Sequence, residues 1–261
     1  MLTVMRPHRY DLHGSKILFP CYMQPKLNGV RCIARKTKEG ICLLSRNDKP
    51  FSALQNHTRL IDELNKCMSL GEELDGELYV HGWSFQKIVS AVKKQSWLTN
   101  QLIFNVFDKI KPGPFKSRID FTFDLTFVTK VPTTLCVDES SAYKKLDELV
   151  EQGYEGLILR NSEAEYENGQ SYNVQKLKKF IDSEFKIIGG TACSKGGVIF
   201  TCATESGETF SVKPMGTLAE RKRMLADIDN LVGKLLTVRY LCLSDSGIPM
   251  ILTGVAIRDY E

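Results

Sequence analysis

The chain has 261 residues, 43% of them apolar and 25% charged, with a formal net charge of +4. That is long enough for one large domain or two modest ones around a real hydrophobic core, and too apolar for a disordered chain. No stretch approaches the roughly 20 apolar residues of a membrane span, and Arg6, His8 and Arg9 are not followed by the apolar run of a secretory leader, so a cytoplasmic protein without membrane contact is expected.

In chain order, residues 1 to 50 come first, with ten Lys or Arg against three Asp or Glu, an excess that calls for an anionic partner. From Phe19 to Arg46 β-rich runs alternate around a turn at Lys38-Glu39-Gly40, predicting strands that lead into and out of a loop at Lys26. Ser52 with Gln55 is a capping-box start, followed at helical spacing by Leu54, Leu60, Ile61 and Leu64. A second helix is expected after Ser84, with Phe85, Ile88, Val89 and Val92 on one side. A third is expected near Ala142 to Gln152, stopped by Gly153.

Strands are expected at Leu74 to Val80, Leu102 to Phe107, Gly156 to Arg160 and Phe185 to Ile188, so the fold class is α+β. After Gly189-Gly190 the pattern changes. Val198 to Ala203, Thr209 to Val212, a helix capped by Thr217 and Glu220, Leu235 to Tyr240 and Met250 to Ile257 predict a five-stranded OB-type barrel. The domains are then 1–187 and 188–261; the second holds eight basic and eight acidic residues, leaving the net charge in the first. Eight scattered cysteines without a CxxC pair argue against zinc. Those in apolar runs such as Ile41-Cys42-Leu43 read as buried reduced thiols.

Four runs carry candidate chemistry: Gln24-Pro25-Lys26-Leu27-Asn28-Gly29-Val30-Arg31, Glu73-Leu74-Asp75-Gly76-Glu77, Glu155 to Arg160, and Lys176-Leu177-Lys178. A lysine amine attacks the α-phosphorus of a nucleoside triphosphate only when deprotonated, with the phosphate charge neutralised and the pyrophosphate opposite the attack. Gly29 would let backbone approach a nucleotide closely, and Arg31 could reach a phosphate or ribose. Glu73, Asp75 and Glu77 fall on one strand face and repel unless a cation meets them or water solvates them. Glu155, at the mouth of an apolar strand, suits a divalent metal or an ion pair with Arg160. Lys176 and Lys178 share a face suited to phosphate. Phe107 is by default core, or else a stacking platform for a base.

Taken in order, these runs resemble the covalent nucleotidyltransferase superfamily, and specifically the minimal ATP-dependent DNA ligases of bacteriophage or viral type. Lys26 to Arg31 resembles the KxDGxR motif, Ser45-Arg46-Asn47 the next, Asp75-Gly76-Glu77 the third, Phe107-Asp108 the aromatic position after it, Glu155 to Arg160 the EGxxxR motif and Lys176 to Lys178 the KxK motif. The resemblance implies an ATP-grasp-like adenylation domain followed by the OB barrel. It implies that Lys26 forms a lysyl-adenylate, Gln24 reads the adenine amino group, and Arg31, Arg46 and Glu77 hold ribose and the neighbouring phosphate. Phe107 would stack on adenine, Glu155 with Glu77 would bind magnesium or manganese, and Lys176 with Lys178 would hold the α-phosphate.

ATP and nicked duplex DNA are the implied partners, with a monomer acting in the cytoplasm, of the host if a phage encodes it. An RNA ligase, a capping-type enzyme and a nick-binding homologue without catalysis are the rival readings. Two positions depart from the family pattern. Asn28 stands where the motif has an acid, which predicts slower or more alkaline adenylation. The C-terminal Arg258-Asp259-Tyr260-Glu261 keeps the arginine of an RxDK-like motif without its lysine, making Arg258 the candidate for orienting pyrophosphate. With Lys26 so near the start, no further N-terminal DNA-binding domain is expected.

Overall fold

The computed structural model describes residues 4–244 and 246–258. They fall into two compact units that divide between Lys178 and Lys179.

In the first unit β1 (Met5–Arg9) and α1 (Tyr10–His13) lead to β2 (Cys21–Lys26), β3 (Val30–Thr37) and β4 (Gly40–Ser45). Next come α2 (Thr58–Cys67), β5 (Glu73–Tyr79), α3 (Phe85–Lys93), β6 (Ile103–Lys109), α4 (Phe115–Arg118) and β7 (Val128–Lys130). The unit ends with β8 (Thr134–Cys136), α5 (Glu139–Glu151), β9 (Gly156–Arg160) and β10 (Gly169–Leu177). The strands make two five-stranded sheets, ordered β1-β10-β9-β2-β8 and β4-β3-β5-β6-β7. Chain leaves the first sheet at Lys26 and enters the second at Val30, so the candidate nucleophile ends one sheet where a short link crosses to the other.

Strand alternation sets the cores. Leu74 and Leu78 of β5 and Phe104 and Val106 of β6 turn toward Leu60, Leu64, Ile88 and Val92 of α2 and α3. Cys21, Leu157, Leu159 and Leu177 of the other sheet meet Ala142, Leu146 and Leu149 of α5. Each buried leucine contributes roughly 1.5–3 kcal/mol. The same alternation leaves Cys42 exposed on β4, against the expectation of a buried thiol, while Cys21, Cys32, Cys136 and Cys202 are buried.

The expected helix starts at Ser84 and near Ala142 are close: Ser84 caps α3, Asp138 caps α5, and Gly153 beyond it has φ 88°. Ser52 does not cap an α-helix. Ser52–Asn56 is a 3-10 turn, and α2 begins at Thr58, where the His57 ring accepts from the Leu60 N–H. His57 is buried with its other ring nitrogen 3.1 Å from the Leu102 carbonyl, which fixes it as the cap.

The second unit contains β11 (Ile181–Ala192), β12 (Val198–Ala203), β13 (Thr209–Val212), α6 (Leu218–Ala226), α7 (Ile228–Leu231) and β14 (Leu235–Tyr240). After these come β15 (Cys242–Leu243), β16 (Pro249–Met250) and β17 (Thr253–Arg258). The sheet runs β13-β12-β11-β14-β17, and a parallel bridge from Pro214 to Gly254 joins its two ends into a barrel. Thr217 and Glu220 cap α6 reciprocally, as the sequence predicts. A domain boundary at 187 would cut β11, which pairs with β14 from Ile181 onward and places Phe185 and Ile187 in the barrel core. No helix among the described residues is long and apolar enough to cross a membrane.

Candidate active site

Lys26 ends β2 opposite Gly156 of β9, and the Glu155 N–H donates to the Lys26 carbonyl at 3.1 Å. This pairing aims both side chains the same way. One carboxylate oxygen of Glu155 accepts from Lys26 Nζ and the other from Lys178 Nζ. Burial pushes the Glu155 carboxyl up, but the two lysines outweigh it and hold the group below its usual range. Burial, then Lys178 and Lys26, lower the Lys176 ammonium. Three lysines around one carboxylate leave a net positive cleft suited to phosphate.

Glu77 contributes the second carboxyl. Its Oε1 accepts from the Gly29 N–H at 3.2 Å. Burial raises its pKa to about 7 in spite of Lys26 and Arg31. Gly29 owes its identity to this packing: a Cβ there would lie 2.4 Å from the Leu78 carbonyl oxygen of β5. The close approach seen here is to the protein's own strand.

Gln24, Lys26, Arg31, Glu77 and Phe107 line one cleft with Ile158 and Arg160. Arg31, Arg46 and Lys176 line a second, together with Arg6 and Gln170. The candidates of the first unit are therefore gathered in two clefts that share Arg31 and in the ion pairs of Glu155. Arg258 belongs to the second unit, where its Nε donates to Thr237 Oγ1 at 2.7 Å and stands 3.3 Å from Glu184. Asp259, Tyr260 and Glu261 lie outside the described residues.

A β-bulge explains Phe107. β5 pairs Asp75 with Asp108 and Gly76 with Val106, leaving Phe107 unpaired between them. Its carbonyl is thereby free to accept from Gln24 Nε2 at 3.0 Å. Its ring is half-buried, with the guanidinium carbons of Arg31 and Arg160 at 5.1 and 5.3 Å from the centroid.

Beneath the clefts lies a buried polar network that the sequence reading misses. Asp75 takes two bonds from Arg31 and one from the Tyr166 hydroxyl at 2.6 Å. Asp108 is bound by Arg118 Nε at 2.9 Å, Arg118 Nη2 at 3.2 Å and Arg160 Nη1 at 2.9 Å. Arg118 also donates to the carbonyls of Gly113 and Ala164. Arg160 Nε reaches Gln24 Oε1 at 2.9 Å, while Gln24 Nε2 also donates to Thr133 Oγ1 at 2.9 Å. The carboxylate stripe of β5 is thus answered by cations of β3, with Glu73 bound to Arg35 and Asp75 to Arg31. Arg160, offered by the sequence as an ion-pair partner for Glu155, pairs instead with Asp108, since Glu155 is taken by Lys26 and Lys178; Arg118 gave no sign.

Among the described residues no group of three or more His, Cys, Asp or Glu gathers to hold a metal. Magnesium keeps most of its water and leans on one or two carboxylates plus substrate phosphates, so Glu77 and Glu155 are the carboxylates here that could hold one.

No protein-family model matches the chain. A DNA ligase of African swine fever virus (isolate Warthog/Namibia/Wart80/1980) is 30% identical over 269 residues, covering 91% of this chain and 63% of the viral protein. The DNA ligase of Enterobacteria phage T4 is 24% identical over 238 residues, 69% of this chain and 49% of that protein. The chain thus spans less than two thirds of the length of these curated relatives. In structure it is similar to a Lig E DNA ligase, with TM-score 0.80, 21% identity and coverage of 99% of this chain and 100% of that one. The ATP-dependent DNA ligase of bacteriophage T7, solved with ATP, gives TM-score 0.60 at 16% identity, covering 98% of each chain. At these identities the structural likeness establishes the fold alone, an α+β unit followed by an OB-type barrel.

Proposed function

From the premise that the chain is a relative of viral DNA ligases, we propose that it is an ATP-dependent DNA ligase, acting as a monomer to join a 3′-hydroxyl to a 5′-phosphate at a nick in duplex DNA. The observation that carries this reading is the lysine at the junction of two sheets, bound to a carboxylate that it shares with a second lysine. Lys26 Nζ attacks the α-phosphorus of ATP; a nitrogen–phosphorus bond forms and the bond to pyrophosphate breaks. AMP then passes to the 5′-phosphate of the nick, and the 3′-hydroxyl displaces it.

The residues divide the work. Glu155 holds the Lys26 amine at the cleft, and Lys178 exchanges that carboxylate for phosphate oxygens as substrate enters. Lys176 and Lys178 take the α-phosphate charge. Phe107 and Ile158 form the walls for the base, and Gln24, its N–H donors taken by Phe107 and Thr133, keeps one acceptor site on Oε1 beside Arg160 for the adenine amino group. Arg31 spends only part of its guanidinium on Asp75, which leaves donors for ribose and phosphate, with Arg46 beside it. A magnesium or manganese ion held by Glu77 and Glu155 would neutralise phosphate charge. Arg258 is the candidate for pyrophosphate.

Incubation with ATP, magnesium and a nicked duplex is expected to give sealed strands in wild type and none in Lys26→Ala. Transfer of label from GTP instead would favour a capping-type enzyme. Sealing confined to RNA would favour an RNA ligase, and nick binding without label transfer a non-catalytic homologue.

A further inference from the structure

An imidazole and aromatic cluster beside the cationic cleft takes no part in the phosphoryl transfers above. His8 of β1 stacks face to face on Tyr172 of β10, with centroids 4.0 Å apart and planes 2° from parallel. His13, ending α1, meets His8 edge-on at 4.8 Å and Tyr172 at 5.1 Å. An irregular register brings the rings together: Pro7 pairs with Ser171 and His8 with Gln175, so residues 172–174 bulge from the ladder. Tyr172 remains 47% exposed.

Two links tie this cluster to the cleft. The Gln170 amide lies 3.2 Å from His8 Nδ1, and Gln170 itself lines the cleft with Arg6, Arg31, Arg46 and Lys176. Arg9, next to His8, stands in register with Lys176. Desolvation, then His13 and Lys176, lower the His8 pKa, so at neutral pH its ring serves as an uncharged stacking partner. A half-exposed tyrosine already clamped by two imidazoles loses little freedom when something packs on it. An aromatic surface bordered by cations is the chemistry that holds a polynucleotide strand, the ring taking a base or sugar and the cations its phosphates.

We propose that the His8–His13–Tyr172 cluster is a docking platform for the nucleic-acid strand that leaves the cleft, with Tyr172 packing on a base or sugar and Arg6 meeting an adjacent phosphate. This rests on the ligase reading, since it takes a polynucleotide to be the substrate. Binding of a fluorescent nicked duplex to the full chain, by anisotropy without metal, tests it. Tyr172→Ala is expected to weaken binding roughly five- to fiftyfold. Tyr172→Phe is expected to stay within about twofold of wild type, because the stacking face is kept. Arg6→Ala is expected to lower the slope of log affinity against log salt by about one. Labelling of Lys26 from ATP by Tyr172→Ala should equal that of wild type.

Unchanged nick affinity in a folded Tyr172→Ala overturns the platform while leaving the ligase reading intact. Equal loss of ATP labelling and nick binding in that variant overturns it too, assigning Tyr172 a structural role. A wild type that neither takes label from ATP nor binds the nick overturns the functional reading, and the platform with it.

Discussion

The ion pairs around Glu155 and those around Asp108 use the same chemistry at different depths. Lys26, Lys178 and Glu155 keep 21%, 11% and 8% of their side-chain surface exposed, whereas Arg118 and Asp108 keep none. The shallow group is built from lysines, compact charges that can trade one anion for another. The deep group is built from arginines, whose planar forks fix the orientation of what they bind. Neighbours in one short run part company here: Asp75 joins the deep network and Glu77 the cleft. On the proposed reading the difference separates charges that an incoming phosphate can reach from the buried charges that hold them in place.

The contrast can be broken from either side. Lys26→Ala should abolish label transfer from ATP with little change in melting temperature; residual transfer above about 1% in a denaturing gel would deny the shallow group its role. Arg118→Ala should instead lower stability, by roughly 3–5 kcal/mol in urea denaturation, because Asp108 is left buried with fewer partners. A loss below about 1 kcal/mol would mean that the deep pairs do not support the site.

Glu77 lies between the two groups, and pH sharpens its place. Its folded-state pKa, about 7, stands above the ordinary 4.5, so the folded protein binds more protons between those values. Its contribution to stability is then full below about pH 4.5 and lost as pH rises through about 7. Glu77→Gln should therefore be more stable than wild type above pH 7, by roughly 1–3 kcal/mol, and no better near pH 4.5. A gap that does not change with pH would place Glu77 with the solvated carboxylates. The smallest expected effect is at exposed Asn28. Asn28→Asp should adenylate a few-fold faster than wild type at pH 7, by supplying a charge that would help hold a hydrated metal beside the nucleophile. Faster wild type would contradict this.

What could be read from the sequence depended on how local the cause was. Periodicity and capping residues gave β9, β12, β13, α6 and β14 close to their observed ends, because each is defined by its own residues. The start of α2 was missed because a buried histidine, not the serine of a capping box, satisfies its first N–H groups. The division at Lys178 was missed because β11 is claimed by pairing with β14, a partner more than fifty residues away. In the site, the lysines and carboxylates of short motifs were legible. The Arg118–Asp108–Arg160–Gln24 chain was not, since its members come from four separate segments and only the fold brings them together.

The most direct test is mass spectrometry of the full chain after incubation with ATP and magnesium, with the modified peptide mapped. One AMP carried by Lys26 and removed by added pyrophosphate is the expected result. A folded chain, first cleared of bound AMP, that acquires no adduct, or acquires it at Lys176 or Lys178 instead, would contradict the assignment of Lys26 as the nucleophile.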